Sequence, residues 1–366
     1  MILHITNDYS GSTVYKNLIG AIDNLGIEQI IYNPIREANR IGKNKIELKN
    51  NNSKIIYAHI LNKTDRIFYK KKINKIVKDI EKQVDFSKIK FIHAHTWYSD
   101  GGVAYLLSKK YKIPYLIAVR STDINVFYKY LYQYRAFGEK ILQNCNHIVL
   151  INKISRNKIH SIYPSLSSKL HVIPNGVDYF WIKNSFQKKS IPKKVYNLLY
   201  VGTFIKRKNL DKLIEAVISL SNEIPFILNI VGYGTGSYAD KVKDLIKANP
   251  SNINYLGEVT DKNQLLHIYR QNDIFTLPSN GETFGLVYIE ALLQGLPILY
   301  TQNEGVDGFY EENIGEKVHQ TEVNEIRNKL ILFSKNIDKY LIPTQKIKEN
   351  HNWEKIAKIY RELYNQ

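Results

Sequence analysis

Short apolar runs alternate along the whole chain with longer segments whose apolar positions recur every three or four residues. In the first half the runs Met1–Ile5, Ile55–Leu61, Ile89–Ala94, Tyr115–Val119, Cys145–Ile151 and Leu170–Ile173 predict strands. Ser12–Leu25, Arg66–Lys82 and Gly102–Tyr111 read as helices. Within Arg66–Lys82, Ile67, Ile73, Ile76, Val77 and Ile80 fall at helical spacing among many lysines. In the second half strands at Asn197–Val201, Phe226–Val231, Ile253–Leu256, Ile274–Leu277 and Ile298–Tyr300 alternate with helices. Those helices are Leu210–Ser219, Asp240–Ala248, Lys262–Arg270 and Val287–Gln294.

Strand–helix alternation at this spacing means parallel sheets covered on both faces. Two such series predict an α/β chain of two doubly wound, Rossmann-like domains. The polar stretch Asn184–Lys194, with Pro192, divides them, which gives expected domains of 1–183 and 184–345. Ligands of such sheets bind beyond the carboxyl ends of the strands, and the default site is a cleft between the domains. The final helix, Asn352–Tyr364, sets Trp353, Ile356, Ile359, Tyr360 and Leu363 on one side, a core-packing stripe.

Composition narrows the class. A chain of 366 residues has room for two domains. The single cysteine, Cys145, excludes a disulfide framework and a cysteine zinc site. The opening MILHITNDYSGS lacks the basic and apolar regions of a secretory signal, and no apolar run reaches the roughly 18 residues of a membrane span. A soluble cytoplasmic enzyme or binding protein is expected. The net charge is +18, and residues 1–180 hold most of it, with 28 Lys and Arg against 13 Asp and Glu. Such a basic half suits nucleic acid, an anionic membrane or a phosphate-bearing substrate, or is simply solvated surface.

Candidate chemistry concentrates in Asn280–Pro297, NGETFGLVYIEALLQGLP. Gly281 and Gly285 permit close backbone approach, and the amides of Thr283, Phe284, Gly285 and Leu286 form a helix start suited to phosphate. Glu282 precedes that helix and Glu290 lies about two turns along it. An acid at a phosphate-binding start points to sugar hydroxyls, although alone it is equally a helix-dipole acid. Likewise Glu290 alone is equally a solvated face. In Val201–Ala216, VGTFIKRKNLDKLIEA, the cations Lys206, Arg207 and Lys208 follow a strand end and suit an anion. The turn IVGYGTG, Ile230–Gly236, lacks the G-x-G-x-x-G spacing of a dehydrogenase. His93 and His95 share one side of a strand, but no third metal ligand stands near them in sequence. No D-x-D motif occurs.

Taken in order, IPNGVD, VGTF…K…LIEA, IVGYG, LGEV, LPS, the E-x7-E from Glu282 to Glu290, and GLPIL resemble one family. It is that of the retaining, nucleotide-sugar-dependent glycosyltransferases with the GT-B fold, of the group 1 or family 4 type. The resemblance implies that Glu282 approaches the donor sugar and Glu290 the ribose hydroxyls. It assigns the diphosphate to Lys208 and to the amides around Phe284, Gly285 and Leu286. Thr203 stands where the family usually has arginine, a lost cation that Arg207 or Lys206 replaces. Val259, in LGEV, belongs to the stretch contacting the base, and Gly11, in NDYSGS, to the glycine loop facing acceptor and donor phosphate.

VRSTDIN resembles a segment that commonly reads V-H-G-S-D, with Arg120 in the histidine's place and Asp123 kept. A guanidinium is no base, so Arg120 is expected to orient the donor or an anionic acceptor group, or else to pair with Asp123 at the surface. The resemblance further implies no metal and no cofactor beyond the nucleotide-diphosphate sugar as co-substrate. The acceptor would lie on the first domain, with 346–366 packing back on it. Implied acceptors are a glycan or a polyprenyl-diphosphate-linked sugar at an anionic inner membrane face, in bacterial surface polysaccharide synthesis. Two alternatives remain at this point: a nucleotide-sugar epimerase of the same fold, and a basic nucleic-acid-binding protein. The chain carries no helix-turn-helix, RNA-binding or zinc-finger signature for the latter.

Overall fold

All strands of the computed structural model pair in parallel, in two separate sheets. The structure describes residues 1–188, 191–221, 223–224 and 226–366, so Lys189 and Ser190 of the expected linker lie outside the described residues. The chain divides into two units, Met1–Asp178 with Asn350–Gln366, and Tyr179–Glu349.

The first unit contains β1 (Ile2–Ile5), β2 (Gln29–Ile35), β3 (Lys54–His59), β4 (Phe91–Ala94), β5 (Tyr115–Val119), β6 (His147–Leu150) and β7 (Leu170–Val172). Its sheet runs in the order β3-β2-β1-β4-β5-β6-β7. The helices are α1 (Thr13–Asp23), α2 (Tyr69–Gln83), α3 (Ser99–Tyr111), α4 (Arg135–Asn144) and α5 (Lys153–Ile162). In the second unit β8 (Tyr196–Val201), β9 (Phe226–Val231), β10 (Ile253–Gly257), β11 (Ile274–Thr276), β12 (Ile298–Thr301) and β13 (Gly315–Val318) run β10-β9-β8-β11-β12-β13. The remaining helices are α6 (Tyr179–Lys183), α7 (Leu210–Ser219), α8 (Ser237–Ala248), α9 (Lys262–Gln271), α10 (Leu286–Leu293), α11 (Val323–Asn336), α12 (Thr344–Asn350) and α13 (Trp353–Asn365). Both sheets thus reverse direction beside their first strand, at β1/β4 and at β8/β11. Open α/β sheets hold their ligands beyond the carboxyl ends at that point.

Helices cover both faces of the first sheet. Ile73, Ile76 and Ile80 of α2 join Val103 and Leu107 of α3 on one side. On the other, Ile356, Ala357, Tyr360 and Leu363 of α13 pack with Leu18, Ala21 and Ile22 of α1. A Cβ at Gly176 would lie 2.4 Å from the Trp353 ring, so glycine lets α13 seat. Trp181 of α6 meets Tyr269 of α9 edge-on at 5.4 Å, which ties α6 to the second unit.

Several expectations are corrected. Strand β2 was not predicted because Gln29, Asn33 and Pro34 interrupt its apolar run. All seven of its residues are buried, and its side-chain amide nitrogens find partners inside: Asn33 donates to Ser10, and Gln29 donates to the Ile19 carbonyl at 3.2 Å, while the two amide oxygens accept no hydrogen bond from the described residues. Also unpredicted were α4, α5, α6, α11 and β13. The basic helix starts at Tyr69, not Arg66, because Asn62 and Asp65 form a capping box on the turn Lys63–Arg66. Ile67 therefore leaves the apolar stripe and is 72% exposed, and Ile359 of α13 is likewise exposed. Among the described residues no helix is long and apolar enough to cross a membrane.

Candidate active site

In the second unit, two loops at the carboxyl ends of β8 and β11 dock on each other. Asn209, held at φ 51°, donates its side-chain amide to the Pro278 carbonyl at 2.7 Å, and the Asn280 N–H donates to the Arg207 carbonyl at 2.6 Å. This clamp sets the Lys208 ammonium directly against the Glu282 carboxylate in a half-enclosed ion pair. The Ser279 hydroxyl donates to the same carboxylate at 3.3 Å, and the Arg207 guanidinium lies 3.6 Å from it. Glu304, which sequence reading did not single out, accepts the Glu282 N–H at 2.8 Å, and the Gly305 N–H donates to the Glu282 carbonyl. Its position just past β12, in a Glu-Gly turn, was the available signal.

Helix α10 begins directly beyond this pair. Gly285 is its N-cap at φ 72°, no side chain caps it, and the helix runs from Leu286 to Leu293. The first amides of a helix lack the partner four residues back that the later ones have, and here the Tyr288 N–H turns back to the Gly285 carbonyl at 2.9 Å. Phe284 is buried, while Thr283 and Leu286 are half-buried. A little over one turn along, Glu290 accepts the hydroxyl of buried Tyr269 at 3.1 Å. Burial and Glu290 together raise the Tyr269 phenol well above its ordinary range, so it stays a donor. Thr203 is exposed, in the turn after β8, with its carbonyl accepting from Tyr200 at 3.1 Å. Val259 is half-buried in the loop after β10.

In the first unit Arg120 follows β5. Its Nε donates to the His95 carbonyl at 3.2 Å, and its guanidinium approaches Asn175 and the face of Tyr15. The surface ion pair with Asp123 is not formed. Asp123 is buried and accepts the backbone N–H groups of Trp97, Tyr98 and Arg120 at 2.9–3.1 Å. Gly11 closes the turn Tyr9–Gly11, where a Cβ would strike the Asp8 carboxylate.

The expected lack of a third histidine beside His93 and His95 is also corrected. His4 of β1 stands in register with His93 of β4, a neighbour that chain distance hid. Each offers a ring nitrogen within 4.8 Å of the other two, and all three are fully buried. His4 and His95 share a hydrogen bond of 3.0 Å, and His93 meets the Tyr364 hydroxyl at 2.8 Å. Burial lowers His4 to about 3 and holds His93 and His95 well below the ordinary histidine range, with Arg120 adding repulsion to both. The unfolded chain takes up protons below about pH 6.5 that these rings refuse, so folding stability falls as pH drops through that window. For His4 alone the loss between pH 7 and pH 5 is about 2 kcal/mol. The melting temperature of His4→Gln should therefore fall less over that range than that of the parent chain. Parallel curves would remove this account.

Two parallel sheets of this strand order, each with its ligand edge at the reversal, make the GT-B fold. Anabaena HepE, solved in complex with UDP, superimposes with a TM-score of 0.73 at 14% identity, over 100% of this chain and 99% of that one. The chain belongs to the group 1, family 4 glycosyltransferases: the family described as Glycosyl transferases group 1 matches residues 182–358, and Glycosyltransferase Family 4 matches residues 11–179. An uncharacterized glycosyltransferase of Methanocaldococcus jannaschii is 26% identical over 76% of this chain and 77% of its own length. An uncharacterized 41.2 kDa protein in the cps region of Klebsiella pneumoniae is 29% identical over 60% of this chain and 62% of its own.

Proposed function

We propose that this glycosyltransferase is a retaining hexosyltransferase, moving a sugar from a nucleotide-diphosphate donor to a glycan or lipid-linked acceptor in the cytoplasm, for bacterial surface polysaccharide. The observation that carries the reading is the Lys208–Glu282 pair at the uncapped start of α10. The relative in the Klebsiella cps region supports the polysaccharide role. An ammonium has three donors, so Lys208 holds Glu282 and a phosphate oxygen together. The α10 amides face the same anion, and Arg207 supplies the cation absent at Thr203. Glu282 takes hydroxyls of the sugar and Glu290, steadied by Tyr269, those of the ribose.

The bond from the anomeric carbon to the diphosphate breaks, and its electron pair leaves with the diphosphate. The charge that develops there meets groups already in place, which is where such stabilisation is largest. The acceptor oxygen then bonds to the same face, and its proton passes to the departing diphosphate oxygen. A thermal-shift panel of UDP, GDP, ADP and TDP sugars tests donor binding. One donor at a hundredfold excess over its Kd adds about 2.7 kcal/mol and raises Tm, whereas a panel with no shift would sink the reading.

A further inference from the structure

The loop that carries Glu282 has little of its own to hold it in shape. Between β11 and α10, residues 277–285 form no regular element, and Gly281 and Gly285, on either side of Glu282, both stand at positive φ. A carboxylate on such a loop faces one fixed point only if something outside the loop holds its backbone. The turn after β12 does so. The Glu304 carboxylate accepts the Glu282 N–H at 2.8 Å, and the next residue, Gly305, donates its own N–H to the Glu282 carbonyl at 3.0 Å. Both backbone polar groups of Glu282 are thus engaged by two consecutive residues of one turn. Gly305 makes the close approach possible. It stands at φ +51°, and a Cβ there would lie 3.2 Å from the Phe284 carbonyl and 3.3 Å from the Glu282 side chain.

The turn itself is braced from behind. Asp307 is buried, its carboxylate accepts the Asn303 N–H at 2.7 Å, and its own N–H donates to the Glu304 carbonyl at 3.0 Å. The Lys317 ammonium, on β13, stands 3.7 Å from the Asp307 carboxylate. A chain of polar contacts therefore runs from β13 through Asp307 and Glu304 to Glu282, and on to Lys208. An ionised acceptor makes the Glu304 link one of the stronger kind.

We propose that Glu304 is a positioning residue for the donor: it sets the Glu282 carboxylate against Lys208 and toward the sugar. It serves the sugar end of the donor and not the nucleotide end. The sugar half of this inference rests on the transferase reading; the hold on the ion pair does not.

Isothermal titration separates the two ends. The ligands are the donor that the UDP, GDP, ADP and TDP sugar panel singles out, and its free nucleoside diphosphate. Glu304→Ala should weaken the nucleotide sugar about tenfold and leave the free diphosphate within about twofold. Glu304→Gln, whose amide oxygen still accepts the Glu282 N–H, should recover most of that loss. The exposed control Glu311→Gln should bind both ligands as the parent chain does. A residue that merely stabilised the turn would weaken both ligands alike, or neither, and either result overturns the proposal. A glutamine variant as weak as the alanine one overturns it too.

Melting temperatures read the positioning a second time, with no ligand present. Lys208→Met should lower Tm less in the Glu304→Ala background than in the parent, because a loosened Glu282 no longer holds the ion pair. Equal losses overturn the hold on the pair. Should Glu304→Ala not fold, Glu304→Asp, one methylene short of the Glu282 N–H, takes its place. Were the panel to find no donor, the transferase reading would fail, while the melting comparison would still decide whether Glu304 positions Glu282.

Discussion

Glu282→Ala should lower kcat/KM for sugar transfer by about a hundredfold or more, the scale on which loss of one group acting on the reacting centre is felt. The geometry makes the variant informative, because Glu282 does two things. Its carboxylate faces the donor in the proposed pose, and it also neutralises Lys208 and Arg207. Removing it leaves a half-enclosed ammonium without its partner, at about 1–3 kcal/mol of stability. Glu282→Gln separates the two roles, since its amide oxygen still accepts from Lys208. Turnover lost in both variants, with Tm recovered in the glutamine form, is the expected pattern, read by initial rates with whichever donor the panel identifies. Transfer near the parent rate in Glu282→Ala would reject the assignment.

In the second unit β11 and β12 were legible as short apolar runs buried throughout, and β8 and β9 as apolar runs broken only by Asn197 and Asn229, whereas β13, Gly-Glu-Lys-Val, has no such run. Strand β2 was not legible, because Gln29 and Asn33 look like loop residues until their partners Ile19 and Ser10 are placed beside them. The same limit governs the site. The E-x7-E spacing keeps Glu282 and Glu290 within one short segment, the loop before α10 and the helix itself, so both could be read from sequence. Glu304 and Tyr269 come from other elements and act through single hydrogen bonds, which no spacing encodes. His4 illustrates it most simply: register across two strands, not distance along the chain, brings it to His93. The basic run around Arg66–Lys82 was visible as charge. That Lys72 turns inward while Ile67 turns outward depended on where the capping box starts the helix.

Gly285→Ala should be the most damaging small substitution in the second unit. The residue sits at φ +72°, where an L side chain is strained by about 1–2 kcal/mol. A Cβ there would also lie 2.5 Å from the Tyr288 ring and 3.2 Å from the Glu282 side chain. Tyr288 cannot yield easily, because it is fully buried and its hydroxyl donates to the Leu277 carbonyl at 2.5 Å. Overpacking of that kind adds about 1–3 kcal/mol, so either the loop shifts away from the α10 amides or the unit loses that stability. Both outcomes weaken donor binding, by about tenfold or more once the amides no longer face the diphosphate. Gly281→Ala is the matched control: its φ is +75°, yet nothing stands within 4 Å of the added methyl, so strain alone remains. If the two variants bound the donor equally well, the start of α10 would not be the place where the diphosphate is held.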